Sequence, residues 1–175
     1  MCDDRTPVAG SRFATWVRDY DAASIDAAVP PPATLSARAE AMACIVTSNL
    51  KRARESARLV APNRPILSDA LFAEAEIPAA IPLRLALAPR YWSVFARVLW
   101  FCGWSRGVES LREARVRAQR AAERLAALAV EHGSVMLVGH GMMNWLIARA
   151  LRRGGWSGAA SRFAFWSVTA LQRVA

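Results

Sequence analysis

Two segments of this chain pass, within a few residues, from a run of buried-strand composition into a helical pattern. That switch constrains the fold more than any other feature. "CIVTS" (44–48) is a short β-branched run, and "NLKRARESARLVA" (49–61) comes next with Leu50, Ala53, Ala57 and Val60 at helical spacing. "SVMLVG" (134–139) is a second apolar run, and "MNWLIARALRR" (143–153) is a helix stopped by Gly154-Gly155. Strands without polar alternation are covered on both faces, and helices alternating with them imply a parallel sheet. The expected fold class is therefore α/β, a three-layer sandwich with a mostly parallel sheet flanked by helices.

The rest of the chain is read around these junctions. Residues 1–33 read as irregular, ending in "VPPPAT", where three prolines stop any helix. "TLSARAEAMA" starts a short helix with Thr34 as its N-cap. Residues 62–82 are punctuated by proline and read as loop. Residues 89–104 and 107–131 read as helices, the second with Val108, Leu111, Leu125 and Leu128 among its apolar positions. Its Glu109/Arg112, Glu113/Arg117 and Arg120/Glu123 spacings suit a solvated helix face. Gly133 then fits the position beyond its end, and "RFAFWSV" (162–168) reads as a third strand. One domain over 1–175 is expected.

Charge narrows the partners. The net charge is +9, and Lys51 is the only lysine. Residues 1–88 hold ten basic and ten acidic side chains; residues 89–175 hold thirteen and four, which accounts for the whole excess. The arginines are scattered rather than clustered with aromatics or glycines, so nucleic acid is not expected as a partner. "WSVFARVLWFCGW" (92–104) is too short to span a bilayer, which takes about 20 apolar residues. A core helix is the reading there, with a membrane-surface helix as the alternative and no stable membrane insertion. Cys2, Cys44 and Cys102 match no metal-ligand spacing, and residues 1–20 carry charges rather than an apolar leader. A cytoplasmic location and no metal are expected.

Ligands of open α/β sheets bind beyond the carboxyl ends of the strands, so chemistry is sought at the two junctions. A helix N-terminus there offers free N–H groups to an anion. Arg52 adds a fork of donors suited to phosphate. His140, between Gly139 and Gly141, can donate to a phosphoryl oxygen or move a proton, and the glycines admit a ligand close to the backbone.

Together these segments resemble the histidine phosphatase superfamily, the phosphoglycerate-mutase-like group. "VTSNLKRARESA" is similar to that family's "SSxLxRAxxTA" stretch, "VMLVGHGMMNWLIARAL" to its second-histidine stretch, and "LFAEAEIP" to the segment carrying its acidic residue. The resemblance covers the chain from about residue 44 onward. It implies phosphomonoester hydrolysis or phosphoryl transfer through a phosphohistidine, without cofactor, on a small phosphorylated substrate or inorganic phosphate. By motif it implies Arg52 as second arginine, His140 as second histidine and Glu74 as acid, with Glu76 and Asp69 as neighbouring alternatives. Ser48, Asn49 and Gly141 are expected to join Arg52 in binding the substrate. The 83–104 segment is expected as a cap over the pocket.

The resemblance also implies a first, nucleophilic histidine in an Arg-His-Gly motif at the end of a first strand. The chain contains no Arg-His-Gly. His132, in "VEHGS", precedes a strand and reads as a cap on helix C-terminal carbonyls. "MCDDRTPVAG" resembles the region just after the motif, and "WVRDYDAASI" (16–25) resembles the stretch beyond it in some bacterial members. The expectation is a first strand missing from this chain, through a gene start placed too late, a shortened chain, or a degenerate member that binds phosphorylated ligands without turnover. As written, the chain is expected to be inactive or weak.

Overall fold

A computed structural model describes residues 5–25, 29–159 and 164–174. In chain order the elements are β1 (Val8–Ala9), α1 (Gly10–Ala22), α2 (Ala33–Ala41), β2 (Cys44–Ser48), α3 (Lys51–Val60), β3 (Ile66–Asp69), a 3-10 turn (Ala70–Phe72), β4 (Ala86–Leu87), α4 (Pro89–Phe101), α5 (Leu111–His132), β5 (Val135–Val138), α6 (Gly141–Arg153), β6 (Trp156–Ser157) and β7 (Gln172–Arg173).

The main sheet has the order β3-β2-β5 and is parallel throughout. Ile45 stands level with Ile66 on one side and Met136 on the other. Successive side chains of β2 point to opposite faces, and all five residues are buried. Cys44 and Val46 pack with Ala118, Leu125, Met143 and Ile147 of α5 and α6. Ile45 packs with Ala39 and Val60 of α2 and α3. A helical layer thus lies on each face of the sheet, as the sequence implies. Both strand-to-helix switches occur where expected, because the apolar runs are long enough only for strands.

Several elements depart from the sequence reading. α1 forms inside the stretch read as irregular. Its local propensity is modest, but Phe13 is fully buried and packs against Trp92 beside Trp16 and Val17, and tertiary burial decides. β3 emerges from the proline-rich loop; three of its four residues are exposed, so it carries no apolar period to read. α2 begins at Ala33 with Pro32 as the capping residue, and Thr34 lies within the helix.

Later elements differ as well. α5 starts at Leu111 because Ser110 and Glu113 form a capping box. Glu113 is committed to that box, and Arg117 pairs with Glu109 instead. Gly133 ends α5 with φ 85°, a conformation glycine adopts freely.

β5, expected as buried, is only half-buried: it pairs with β2 on one edge, and no described strand pairs with the other. Residues 162 and 163 of the expected third strand lie outside the described residues, and 164–168 form a turn followed by irregular chain. The extended pairing falls later, where β7 meets β6 antiparallel.

Trp92 and Trp100 of α4 are core residues, 1% and 0% exposed, while Trp104 is partly buried beside Phe13 and Ile81. Among the described residues no helix is long and apolar enough to cross a membrane.

Candidate active site

The carboxyl ends of β2 and β5 are neighbours, since Thr47 stands level with Val138. That register brings together two residues 92 positions apart. Ser48, the last residue of β2, is fully buried, and His140 comes after β5 and precedes the first turn of α6. His140 Nε2 lies 2.9 Å from Ser48 Oγ. The same hydroxyl oxygen accepts from the Leu50 N–H at 3.0 Å, which fixes the turn into α3. Thr47 Oγ1 donates to the Val138 carbonyl at 2.9 Å and locks the two strand ends together.

His140 is 6% exposed. Burial pushes its imidazole pKa down to about 4, and the positive charges of Arg52 and Arg117 push the same way. The ring is therefore neutral at pH 7, with one nitrogen able to accept and the other to donate. Gly139 precedes it against Asn144: a Cβ there would stand 2.6 Å from Asn144 Oδ1. That Oδ1 is buried and has no hydrogen-bond partner among the described residues.

Of the three candidate acids, only Glu74 reaches this junction. Its Oε1 accepts from the Met143 N–H at 3.0 Å and the Ala75 N–H at 2.9 Å. Met143 is in the first turn of α6, so the carboxylate occupies one of the helix's anion-binding amides. Asp69 instead accepts from the Leu71 N–H at 2.8 Å and caps the 3-10 turn. Glu76 is exposed, and its carbonyl accepts from Arg97.

Arg52, at the start of α3, is held from α1: its Nη1 is ion-paired with Asp21, and its guanidinium lies 5.1 Å over the Tyr20 ring. Asn49 is an exposed bend residue, and Gly141 is the exposed first residue of α6. His132 ends α5 with Nε2 3.6 Å from Glu131, on the amino side of β5 and so away from the junction.

Two arginines that sequence reasoning did not assign to the site hold the Glu74 segment in place. Arg117 is gripped by Glu109 through two bonds, Nε to Oε1 at 2.8 Å and Nη2 to Oε2 at 2.6 Å. Its remaining donors reach the carbonyls of Leu71 at 3.2 Å, Ala73 at 2.7 Å and Glu74 at 3.4 Å. Arg97 donates to the carbonyls of Ala75 at 2.9 Å and Glu76 at 3.3 Å and lies 4.7 Å over the Trp100 ring. Burial lowers the Arg97 pKa, and Glu74 raises it in return. No local pattern signals this arrangement, because the carbonyl partners of Arg117 lie 43 to 46 residues earlier. Arg52, Glu74, Arg97, His140 and Asn144 are among the residues that line one open cavity.

These features define a class: a layered α/β protein whose parallel sheet opens, beyond its strand ends, into a cleft lined by imidazole, guanidinium and carboxyl groups. The family is given by the sequence. The pattern of the histidine phosphatase superfamily (branch 1) matches residues 33–174, and the chain belongs to that superfamily. Its fold is similar to two solved structures. One, a mycobacterial glucosyl-3-phosphoglycerate phosphatase, is 21% identical with a TM-score of 0.52, covering 79% of this chain and 82% of that one. The other, mycobacterial hydrolase 1, is 22% identical with a TM-score of 0.50, covering 69% of this chain and 64% of that one. The chain thus spans just under two thirds of that hydrolase. No curated protein matches it.

Proposed function

We propose that this chain is a phosphate-ester binding domain of the histidine phosphatase type, acting in the cytoplasm on a small phosphorylated substrate. The observation that carries the reading is the buried His140–Ser48 pair, set beside Glu74 at the start of α6. A phosphoryl group entering beyond β2 and β5 would take a hydrogen bond from the His140–Ser48 pair, from the ring when Ser48 gives its proton to Nε2 and from Ser48 when Nε2–H bonds to its oxygen. With Asp21 displaced, Arg52 would add two parallel donors. Glu74, in its protonated form, would give its proton to the leaving oxygen as the P–O bond breaks. Arg97 and Arg117 would keep that carboxyl in place.

The covalent step needs a nucleophile whose nitrogen forms the N–P bond while the ester P–O bond breaks; water then attacks phosphorus and releases phosphate. On this reading the nucleophile is an Arg-His-Gly histidine, which these 175 residues do not contain. His140 is committed to binding. The chain is accordingly a binder of phosphate esters with little or no turnover.

The test is calorimetric titration with inorganic phosphate and vanadate, alongside hydrolysis of p-nitrophenyl phosphate. Expected are anion binding weakened at least about tenfold in His140→Ala and hydrolysis at background. Hydrolysis that disappears in His140→Ala would overturn the lack of turnover. Absence of anion binding would overturn the reading itself.

A further inference from the structure

The core accounts for only half of the aromatic run at 92–104. α4 turns Trp92, Ala96 and Trp100 inward, where none is more than 1% exposed. Its opposite face carries Tyr91, Val94, Phe95, Val98 and Phe101, which are 40–64% exposed. Their spacing of three, four and seven residues makes them one continuous stripe on a 3.6-residue helix. Phe95 touches the edge of Trp92, and Phe101 those of Trp100 and Trp145, yet all five stay open to solvent. Single exposed apolar residues are ordinary; five on one face form a patch.

The surrounding charge indicates what this patch meets. From Ile77 to Val108 there are 32 residues with no Asp or Glu and with four arginines, 84, 90, 97 and 106. Arg97 is turned inward onto the Ala75 and Glu76 carbonyls. Arg84, Arg90 and Arg106 are exposed, and among the described residues none has an acidic partner. Arg90 stands in the first turn of α4, beside the stripe, with its guanidinium 4.9 Å over the Tyr91 ring. A cation in a first turn opposes the helix dipole, so helix stability does not explain its position.

We propose that the outer face of α4 seats on an anionic lipid surface, with the helix lying in the plane of the headgroups. The aliphatic and aromatic stripe would enter the acyl boundary while the flanking arginines met lipid phosphates. The thirteen residues of α4 suffice to lie in an interface and are too few to span one. A second copy of the chain fits the face less well. A two-fold contact would bring like arginines together, with no acidic residue from 77 to 108 to offset them. The proposal is independent of the catalytic reading.

The test uses the whole chain with vesicles of phosphatidylcholine alone and with about one third phosphatidylglycerol, at low salt and at about 0.5 M salt. Co-sedimentation is expected only with the anionic vesicles and is weakened by salt. Val94→Ser with Val98→Ser, both at exposed positions, should weaken it at least about tenfold with an unchanged circular dichroism spectrum and melting point. Arg90→Gln alone should weaken it about fivefold. The proposal is overturned if the chain stays in the supernatant with both vesicle types. It is equally overturned if the double variant binds as tightly as the parent, since the overall charge then acts without α4. Size-exclusion elution as a dimer that the double variant converts to monomer also overturns it, assigning the face to a second copy.

Discussion

His140 shows how much one side chain depends on its surroundings. Its pKa of about 4, against an ordinary 6.5, means that the unfolded chain binds a proton there more readily than the folded one. At pH 7 the group is mostly neutral in both states and the shift has little effect. As pH falls from 6.5 to 4 the unfolded state gains the proton first, and the fold loses about 3 kcal/mol, levelling off below pH 4. Denaturant melts across that window should show this slope in the parent chain and not in His140→Gln. Arg52 permits a second prediction. Because Asp21 already holds its guanidinium, Asp21→Asn should tighten phosphate binding, by up to about fivefold for a partly exposed ion pair, as read by calorimetry. Weaker binding in that variant would mean that Asp21 orients Arg52 rather than competing for it.

Among the elements, the segment between β3 and β4 has little regular structure and is fixed largely from outside. Arg117 donates to three of its carbonyls while bonded twice to Glu109. Arg117→Met would strand the Glu109 carboxylate and those carbonyls, and should cost about 2–4 kcal/mol in urea melts. Ser110→Ala, a few residues away, removes only the cap of α5 and should cost about 1 kcal/mol. A cost for Arg117→Met no greater than that of the cap would show that the segment holds itself.

The same contrast explains what can be read in advance. β2, α3 and α6 carry their own apolar period and are legible in the sequence. β3 has three exposed residues out of four and is not. α1 takes its stability from Phe13 against Trp92, a distant partner on α4. At the junction, His140 and Glu74 are legible through their flanking motifs, and Arg97, Arg117 and Asp21 are not, because each acts across elements.

For the whole molecule, the layered arrangement and the position of the junction stem from the β3-β2-β5 order. The strand ends that carry Ser48 and His140 are adjacent because β2 and β5 pair directly. That pairing also governs how the chain must fold. Cys44 stands level with Val135 and Ile45 with Ile66, so the central strand finds one neighbour close in sequence and the other only after most of the chain has passed. The intervening residues have to be gathered before the β2–β5 hydrogen bonds repay the entropy of closing so large a loop. The β2–β3 half can form early, while the junction of Ser48 with His140 comes late. In stopped-flow refolding, Ile45→Ala, whose side chain packs with α2 and α3, should therefore slow folding, whereas Leu137→Ala should chiefly hasten unfolding. The end of the molecule that joins Ser48 to His140 would be the last part to assemble and the first to open.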